Sequence, residues 1–439
     1  MVINCLGRRC KQLLNRAKKS SLFIDTAWAL TGNAIGRGLS LLSGMAVARF
    51  LGSSAFGEYG LIKSTLLTIA TFSAFGLGYT VTKFIAENKN KSEEFTYTIH
   101  VAATSLTFVF SLIIAVFTAV FSNSIAIWLE APNMGLELRL MAVAIVLNAL
   151  ITTQSGELAG FRAYKKIARN NTYYGIFTFV SSVPLSYYYG ITGALVALLF
   201  SLAFNCIINY FTLHSYFFNN RTPKIDFLAI RQLLVFSLPI ALQEVLFSVS
   251  SWVGSVMIIF LAGYSELGLY SAASQWFAVI LFVPGALRNV ALSHIAENND
   301  NDENAQRIVS RLMRFNFLST IIPFIIIMLL SGFIANCYGK SFSALPPVLS
   351  VMTLYAVISS MIGVQKQDLL AHGYNWFLFI TNVAYYVFCL GSTYVMIKLW
   401  GNAALMYSLA GCIFSLIYLI VINAKRQLIY KDKMQKQNI

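Results

Sequence analysis

Two charged residues lie deep inside apolar stretches of the sequence, where an ionised side chain is unfavourable unless it has a structural or functional role. Arg37 lies near the middle of one stretch, between Gly36 and Gly38, and Glu244 lies near the middle of another. An ionisable group at the centre of a membrane helix costs about 2.5–3.5 kcal/mol on insertion scales. Because a guanidinium stays charged and forms forked hydrogen bonds with phosphate oxygens, Arg37 is a candidate anion-binding residue whose small neighbours leave it accessible. The alternative is an arginine paired with an acid for folding alone.

Glu244 has two functional interpretations, as a counter-ion for Arg37 and as a proton carrier. A shift of about 210 residues between two halves of the chain places Glu244 level with Ala34, roughly one helical turn from Arg37. The two charges could therefore face the same space between the halves. A local hydrogen bond to a neighbouring helix is the alternative role for Glu244.

A second candidate group could bind a polar, ring-shaped ligand. It comprises Trp252, Tyr270, Gln275 and Trp276. Aromatic faces stack on sugar rings, and an amide side chain hydrogen-bonds to hydroxyl groups. Ordinary packing between helices is the alternative. Farther along the chain, Arg288 could guide an anionic head group, or it could extend its charge towards the membrane surface.

Three acidic residues are candidates for gating or for coupling to an ion gradient. Glu157 and Asp368 lie near equivalent ends of two apolar stretches, and His372 follows Asp368 by one helical turn, close enough for contact. Pairing with arginine or lysine at the helix ends is the alternative for both carboxylates. Asp25 lies beside a basic N-terminal tail, so a position at the membrane surface is the alternative for this residue.

The composition identifies the elements that position these residues as membrane helices. The chain has 439 residues, of which 57% are hydrophobic and 11% charged, and its mean hydropathy is +0.68. A soluble globular protein carries about 25% charged residues, so a water-soluble enzyme is excluded. Because runs such as 321–330 are continuously apolar, helices are favoured over the alternating strands of a barrel. With about 20 residues per crossing, the sequence predicts an all-α polytopic membrane protein with twelve transmembrane helices, at 27–49, 61–83, 99–121, 140–161, 172–190, 192–213, 233–260, 268–292, 315–336, 347–368, 376–399 and 402–423.

Basic residues are concentrated on one face of this predicted membrane domain. Of the 32 lysines and arginines, 26 fall in the terminal tails and in the loops on the same side, whereas the opposite loops hold Lys340 and Lys398. Basic loops stay in the cytoplasm, so both termini are predicted to be cytoplasmic. The asymmetry also accounts for most of the net charge of +15, so that charge does not indicate a nucleic-acid partner.

The sequence repeats itself after 211 residues. The pairs that this shift brings together include Gly57–Gly268, Glu157–Asp368, Asn171–Asn382, Tyr174–Tyr385 and Gly190–Gly401. A unit of six spans starts both copies on the same side, which predicts parallel repeats, related by a pseudo-two-fold axis along the membrane normal, with a binding site at their interface. The predicted organisation is a cytoplasmic basic tail (1–21), an N-terminal six-helix bundle (22–213), a cytoplasmic linker (214–231), a C-terminal six-helix bundle (232–423) and a second cytoplasmic basic tail (424–439).

Short motifs at the helix ends resemble those of a known superfamily. They are Ala48-Arg49-Phe50-Leu51-Gly52, Phe56-Gly57-x-Tyr59, Phe75-Gly76-Leu77-Gly78, Thr82-Lys83-Phe84-Ile85-Ala86-Glu87, Phe236-Ser237-Leu238-Pro239 and Gly268-Leu269-Tyr270-Ser271-Ala272-Ala273. In order and spacing, over about residues 22–423, they resemble the polysaccharide transporters of the multidrug/oligosaccharidyl-lipid/polysaccharide exporter superfamily, in particular O-antigen flippases of the Wzx type.

This resemblance implies two six-helix bundles around a V-shaped central cleft and a flippase for undecaprenyl-pyrophosphate-linked oligosaccharides in the bacterial inner membrane. Arg37 would then meet the pyrophosphate, because related lipid-precursor flippases carry an arginine at a similar place. Implied partners besides the lipid-linked oligosaccharide are an O-antigen polymerase and its chain-length regulator. No cofactor, metal or catalytic residue is expected, and transport would be coupled to H⁺ or Na⁺. The alternatives are a cation-coupled drug antiporter of the same superfamily, an uncoupled scramblase, and a membrane polysaccharide polymerase, which is an enzyme.

Overall fold

A computed structural model of the protein describes residues 21–88, 92–128, 135–217, 227–285 and 302–437. No strand occurs in these ranges, so the predicted all-α class is confirmed for them. A 3-10 turn spans Lys340–Phe342. The α-helices are, in chain order, α1 (Ser21–Ala74), α2 (Leu77–Asn88), α3 (Glu93–Val120), α4 (Ser122–Trp128), α5 (Gly135–Gly160), α6 (Tyr164–His214), α7 (Phe227–Ala262), α8 (Tyr264–Ile280), α9 (Asp302–Leu329), α10 (Ser331–Tyr338), α11 (Leu345–Ala371), α12 (Asn375–Trp400) and α13 (Ala403–Gln437).

The chain is a multi-pass membrane protein by the length and composition of its helices. Within the described ranges, nine helices are long and apolar enough to cross a membrane. Two of the nine, with 44 and 51 residues, are long enough to cross twice, and each contains one non-helical glycine. Every predicted span overlaps an observed helix, although the end of 268–292 lies outside the described residues. The total of twelve spans stays a prediction.

The helix breaks repeat with the offset found in the sequence. Gly52 (φ 77°, ψ 172°) divides α1, and Gly263 (φ 85°, ψ 177°) separates α7 from α8. Gly190 (φ 60°, ψ −135°) divides α6, and Gly401 (φ 68°, ψ −148°) separates α12 from α13. Positive φ is readily adopted only by glycine, so these four positions fix where the chain turns. The two glycines of each pair are 211 residues apart, so the repeat is present in the backbone conformation as well as in the sequence.

One buried cluster joins the two halves of the chain. Phe56 of α1 packs its ring against Phe342 at 6.1 Å between centroids, and Leu269 and Ala272 of α8 lie in the same cluster. Lipid tails are as apolar as leucine, so helices in a membrane associate through close packing of small residues rather than through burial from water. We therefore expect glycine and serine to mark the tightest contacts between the halves.

The tightest contact is a crossing between the second part of α1 and the start of α8. A Cβ built on Gly57 would overlap the carbonyl oxygen of Tyr264, and one built on Gly268 would overlap the carbonyl oxygen of Ser53. Ser53 and Ser265 also share a hydrogen bond of 2.8 Å between their hydroxyls. We call this crossing, residues 53–60 with 264–271, the closed end. It lies at the end of the helices opposite to the start of α1 and the end of α13.

Candidate functional site

The contact between α1 and α8 loosens step by step away from the closed end. At Gly57 and Gly268 backbone lies against backbone, and at Gly44 the neighbour is the side chain of Gln275. At Arg37 the contact is between side chains: its Cζ lies 5.2 Å from the ring centroid of Phe282. Backbone contact at the closed end thus gives way to side-chain contact towards the termini, and we call the region between α1 and residues 264–282 the cleft.

The opposite side of the cleft stays closed along its length. Here α7 of the second half is hydrogen-bonded to α1 and α2 of the first. The hydrogen bonds are Trp252 Nε1 to Thr65 Oγ1 (2.9 Å), Thr68 Oγ1 to the Ser248 carbonyl (3.3 Å) and the hydroxyls of Thr80 and Ser237 (2.7 Å). The cleft therefore has one sealed seam, between α7 and α1–α2, and one loose seam, between α1 and α8.

Arg37 lies on the loose seam with an exposed side chain. At about 1.5 Å per residue, Arg37 is about 22 Å from Gly52, Phe282 about 27 Å from Tyr264 and Glu244 about 27 Å from Ala262. The three residues are therefore within about one turn of each other in height, and across a hydrocarbon core about 30 Å thick they lie in the half farther from the closed end. Glu244 is half-buried on α7.

The ion pairs among the described residues do not include Arg37 with Glu244. Arg37 instead lies over the face of Phe282, a cation–π contact. The predicted pairing across the cleft stays a prediction. A guanidinium that lies over a ring still directs its N–H donors away from the ring. This contact therefore leaves Arg37 able to bind an anion.

The two glycines beside Arg37 have different roles. A Cβ on Gly36 would overlap the carbonyl oxygen of Asn171, and Gly175 in turn lies against the backbone of Gly36. A Cβ on Gly38 would meet no described atom of a neighbouring helix within 4 Å. The side chain of Arg37 between them is exposed, as expected from its small neighbours. Gly36 also fixes α1 against α6, and so sets the position of the turn that carries Arg37.

The predicted sugar-binding residues lie in three different environments. Trp252 donates to Thr65 and stacks on Trp128 at 5.8 Å, on the sealed seam. Tyr270 packs against Tyr407 at 5.1 Å. Gln275 is on the loose seam, and its buried Oε1 has no hydrogen-bond partner among the described residues. Their role in binding stays a prediction, and Gln275 is the member of the group that shares a seam with Arg37.

Trp276 is directed away from the cleft. Its indole nitrogen donates to the hydroxyl of Tyr338 on α10 at 3.2 Å. Burial raises the pKa of the Tyr338 phenol, so this hydroxyl stays neutral and accepts the bond. In this conformation Trp276 ties α8 to α10.

The candidate gate residues Glu157 and Asp368 are buried, and each is paired within its own half of the chain. Glu157 lies 2.9 Å from His100 of α3, and Asp368 lies 2.5 Å from Arg426 of α13. The predicted contact of Asp368 with His372 is present at 3.5 Å. In this conformation neither carboxylate bridges the cleft, and the pairing of Asp368 with an arginine matches the alternative stated for it.

The remaining candidates fall at or beyond the limits of the described residues. Arg288 lies outside them, and Asp25 lies on α1 in a part whose side chains are not described. A cavity of about 140 Å³ lies within the second half of the chain, between the end of α8, α9 and α11. Leu281 lines this cavity whereas its neighbour Phe282 contacts Arg37, so the cavity and the cleft lie on different faces of the same segment.

Sequence reasoning missed the partners of the charged residues. Phe282, His100 and Arg426 complete the contacts of Arg37, Glu157 and Asp368, but each comes from a helix distant in sequence. A buried carboxylate near the end of a span requires a cation or a hydrogen-bond donor, and this requirement indicates from the sequence that a partner exists. It could not show which helix supplies that partner.

Comparison with known proteins gives both a family and a fold. The profile of the family described as "Polysaccharide biosynthesis protein" matches residues 46–316. The chain is also similar to the EPS I polysaccharide export inner membrane protein EpsE of Ralstonia nicotianae, with 26% identity over 139 residues. That match spans 31% of this chain and 32% of the Ralstonia protein.

The solved structures that resemble the chain are transporters. An inward-facing multidrug resistance MATE family transporter of the MOP superfamily gives a TM-score of 0.74 at 16% identity, covering 90% of this chain and 95% of its own. An outward-facing MATE structure gives 0.65 at 13%, covering 93% and 96%. A MOP superfamily transporter from Pyrococcus furiosus, described as having a binding pocket of reverse polarity, gives 0.67 at 15%, covering 93% and 95%. These relatives are named as transport proteins, consistent with the prediction that the chain is not an enzyme.

Proposed function

The chain belongs to the family of polysaccharide biosynthesis proteins, and from this we propose that it is a flippase for undecaprenyl-pyrophosphate-linked oligosaccharides such as O-antigen repeat units. It moves them from the cytoplasmic to the periplasmic leaflet of the bacterial inner membrane. The family match and the similarity to an export protein of the inner membrane support a glycan as the transported group.

The observation that carries the proposal is the exposed Arg37 on the loose seam. A permanent cation within a predicted membrane span is costly to maintain, and it suits a substrate that brings two phosphate groups. The opening between α1 and α8 lets a polyprenyl tail remain in lipid while the head group enters the cleft. Sugars would then extend towards Gln275, whose amide oxygen accepts no hydrogen bond from the described part of the chain.

We assign the architecture to two six-helix bundles, 22–213 and 232–423, around a pseudo-two-fold axis. The matched breaks at Gly52 and Gly263, and at Gly190 and Gly401, support this assignment. The reciprocal contacts of Gly57 and Gly268 are those expected where the axis passes. With cytoplasmic termini, the closed end faces the periplasm and the cleft opens inwards. The higher TM-score with the inward-facing than with the outward-facing MATE structure supports that arrangement.

The charge of the site argues against a drug antiporter, the main alternative with this fold. An acidic cleft suits cationic drugs, whereas the charge exposed on the loose seam here is a guanidinium. The neighbour described as having a pocket of reverse polarity supports the view that this fold serves substrates of different charge. Coupling to H⁺ or Na⁺, and partnership with a polymerase and a chain-length regulator, are further parts of the proposal.

The test is translocation of a lipid-linked oligosaccharide by the purified protein in proteoliposomes. We expect Arg37→Ala to reduce the rate roughly tenfold or more, since a charge-assisted hydrogen bond contributes about 1.5–3 kcal/mol. Arg37→Lys should recover only part of it, because the forked geometry is lost. Arg169→Ala, which removes an exposed arginine on α6, is the matched control and should leave the rate unchanged. Full activity of Arg37→Ala, or transport of cationic drugs instead of the glycolipid, would contradict the proposal.

A further inference from the structure

Two buried carboxylates occupy equivalent positions in the two halves but have different partners. Glu157 and Asp368 are 211 residues apart, and their side chains are 0% and 1% exposed. Glu157 shares a hydrogen bond of 2.9 Å with His100 Nδ1 and accepts a second from the Thr104 hydroxyl at 3.4 Å. Asp368 accepts from Arg426 at 2.5 Å and from the Tyr430 hydroxyl at 2.9 Å. The repeat therefore conserves a buried carboxylate but not the group that balances its charge.

The difference decides which of the two carboxylates can exchange a proton. Arginine stays protonated at any biological pH, so Asp368 has a permanent counter-charge. Histidine is the side chain whose charge changes between about pH 5 and 8. When His100 is neutral, the negative charge of Glu157 is buried without compensation, and such a group takes up a proton instead. From the imidazolium, the proton on His100 Nδ1 can pass directly to Glu157 Oε2, which leaves a neutral imidazole with its remaining proton on Nε2.

His100 also provides the connection between this pair and the surroundings. Its side chain is 22% exposed, whereas that of Glu157 is fully buried. The ring stacks on Phe217 at 4.5 Å with an angle of 18°, which fixes its orientation. A proton can therefore reach the carboxylate through the imidazole, with Nδ1 facing Glu157 and Nε2 available on the other edge.

Neighbouring charged groups do not replace His100 in this role. The charged residues and histidines described at this end of the helices packed around the pair are Lys83, Glu87, Glu93, Glu94, Arg162, Lys165, Lys166, Arg169, His214 and Arg231, and the ring of Tyr97 lies 6.2 Å from that of His100. Lys83 lies over the ring of Phe236 and Lys166 over that of Tyr216. Within the described part of the chain, no ion pair or hydrogen bond joins any of these residues to the carboxylate of Glu157. Among the described ion pairs, the partner of this carboxylate is His100.

We propose that His100 and Glu157 form a proton-binding site of the first half, and that the equivalent Asp368 is held permanently ionised and binds none. The site joins α3 to α5, and α3 also contacts α7 of the other half. Its protonation therefore acts on a helix that borders the sealed seam. The inference deepens the proposed function by naming the proton as the coupling ion, and it rests on that function only in this respect.

The experiment measures thermal stability of the detergent-solubilised full chain between pH 5.5 and 8. The site with its proton bound carries no net charge, whereas loss of that proton leaves a buried carboxylate without a counter-charge, so stability is highest at low pH and falls as the pH rises. We expect the melting temperature to fall by about 2 °C or more over this range. This fall should be absent in His100→Gln and in Glu157→Gln, the latter being close in shape to the native residue.

His372→Gln is the matched control, because His372 also lies beside a buried carboxylate. Its Nδ1 bonds to the backbone oxygen of Asp368 at 2.8 Å, while the carboxylate is held by Arg426. This variant should keep the pH dependence of the unaltered protein. A pH dependence that persists in both His100→Gln and Glu157→Gln, or that disappears in His372→Gln, would overturn the proposal. No substrate is present, so the result is independent of the Arg37 transport experiment.

Discussion

Gly57 and Gly268 lie at one helix crossing, and each faces the backbone of the helix that carries the other. The two residues are 211 positions apart, so the crossing is reciprocal. Gly57 packs against the backbone of α8, and its equivalent Gly268 packs against the backbone of α1. On the same crossing, Gly60 faces Ser271, its own equivalent. Reciprocal contact of equivalent residues is the geometry expected at a two-fold axis, and it supports the pseudo-two-fold arrangement that we propose.

A methyl group at this crossing should open the closed end. Gly57→Ala places a Cβ against backbone, which cannot move aside as a side chain can, and overpacking costs about 1–3 kcal/mol. The hydroxyls of Ser53 and Ser265 are 2.8 Å apart, so cysteines at both positions report the closure by forming a disulfide. We expect Gly57→Ala to reduce the yield of this cross-link. Gly332→Ala, whose added Cβ would meet no described neighbour within 4 Å, is the control. An equal yield in both variants would show that the crossing does not govern closure.

Gly36 and Gly38 should respond differently to the same substitution. Gly36→Ala forces α1 away from the carbonyl of Asn171, and we expect a lower melting temperature and reduced transport because Arg37 moves with that turn. Gly38→Ala meets open space and should keep or raise stability, by up to about 1 kcal/mol from helix propensity. Thermal unfolding and transport of the two variants give the comparison. Equal effects of the two changes would remove the assigned role of Gly36.

Arg37 and Phe282 should be energetically coupled. A double-mutant cycle with Arg37→Met and Phe282→Leu keeps the volume apolar and removes the cation–π contact, which contributes about 0.5–1 kcal/mol. Thermal stability of the four proteins in detergent provides the coupling energy. The same cycle with Glu244→Ala tests the pairing predicted across the cleft. Strictly additive losses for Arg37 and Phe282 would mean that their contact does not stabilise this conformation.

Removing only the arginine of the ion pair between Asp368 and Arg426 should destabilise the protein more than removing both charges. Arg426→Ala leaves a buried carboxylate with a hydrogen bond from Tyr430 but no cation, at a cost of about 3–5 kcal/mol. Adding Asp368→Asn should restore part of the lost melting temperature, because the uncompensated charge is removed. If the double variant is less stable than Arg426→Ala, the loss arises from packing rather than from charge.

Both termini should be cytoplasmic, because 26 of the 32 basic residues lie on their side of the membrane. A reporter that is active only in the periplasm, fused after Ile439, should show no activity. The same reporter placed in the opposite loop at Lys340 should be active. Activity at the C-terminus would reverse the orientation of the cleft.

The sequence was sufficient for features that repeat or that stand out chemically. Gly190 and Gly401 were paired by the shift of 211 residues, and both adopt positive φ at helix breaks. Arg37 was identified by its charge in an apolar stretch, and its side chain is exposed. The first prediction needed the shift between the two halves of the sequence, and the second needed only the residues around Arg37.

Features that depend on a neighbouring helix could not be predicted in this way. Trp252 faces Thr65 and Trp128 because of how α7 is rotated, and an apolar stretch without amphipathic pattern does not reveal that rotation. The helix predicted to end at 423 continues to Gln437, since Arg426 and Tyr430 are held by Asp368 from α11. Such pairings join residues 58 or 62 positions apart, and no local spacing rule reaches that far.

Because α13 is continuous, its last turns form a rigid arm. From residue 424 to Gln437 the helix projects about 20 Å beyond the predicted span, at about 1.5 Å per residue. The ion pair at its base ties it to α11, so this arm turns with the second half of the chain. A tilt of that half by about 10° would displace the tip by about 3–4 Å on this geometry. The C-terminal arm is therefore the place where a spectroscopic label would register small rotations inside the membrane as measurable changes in distance.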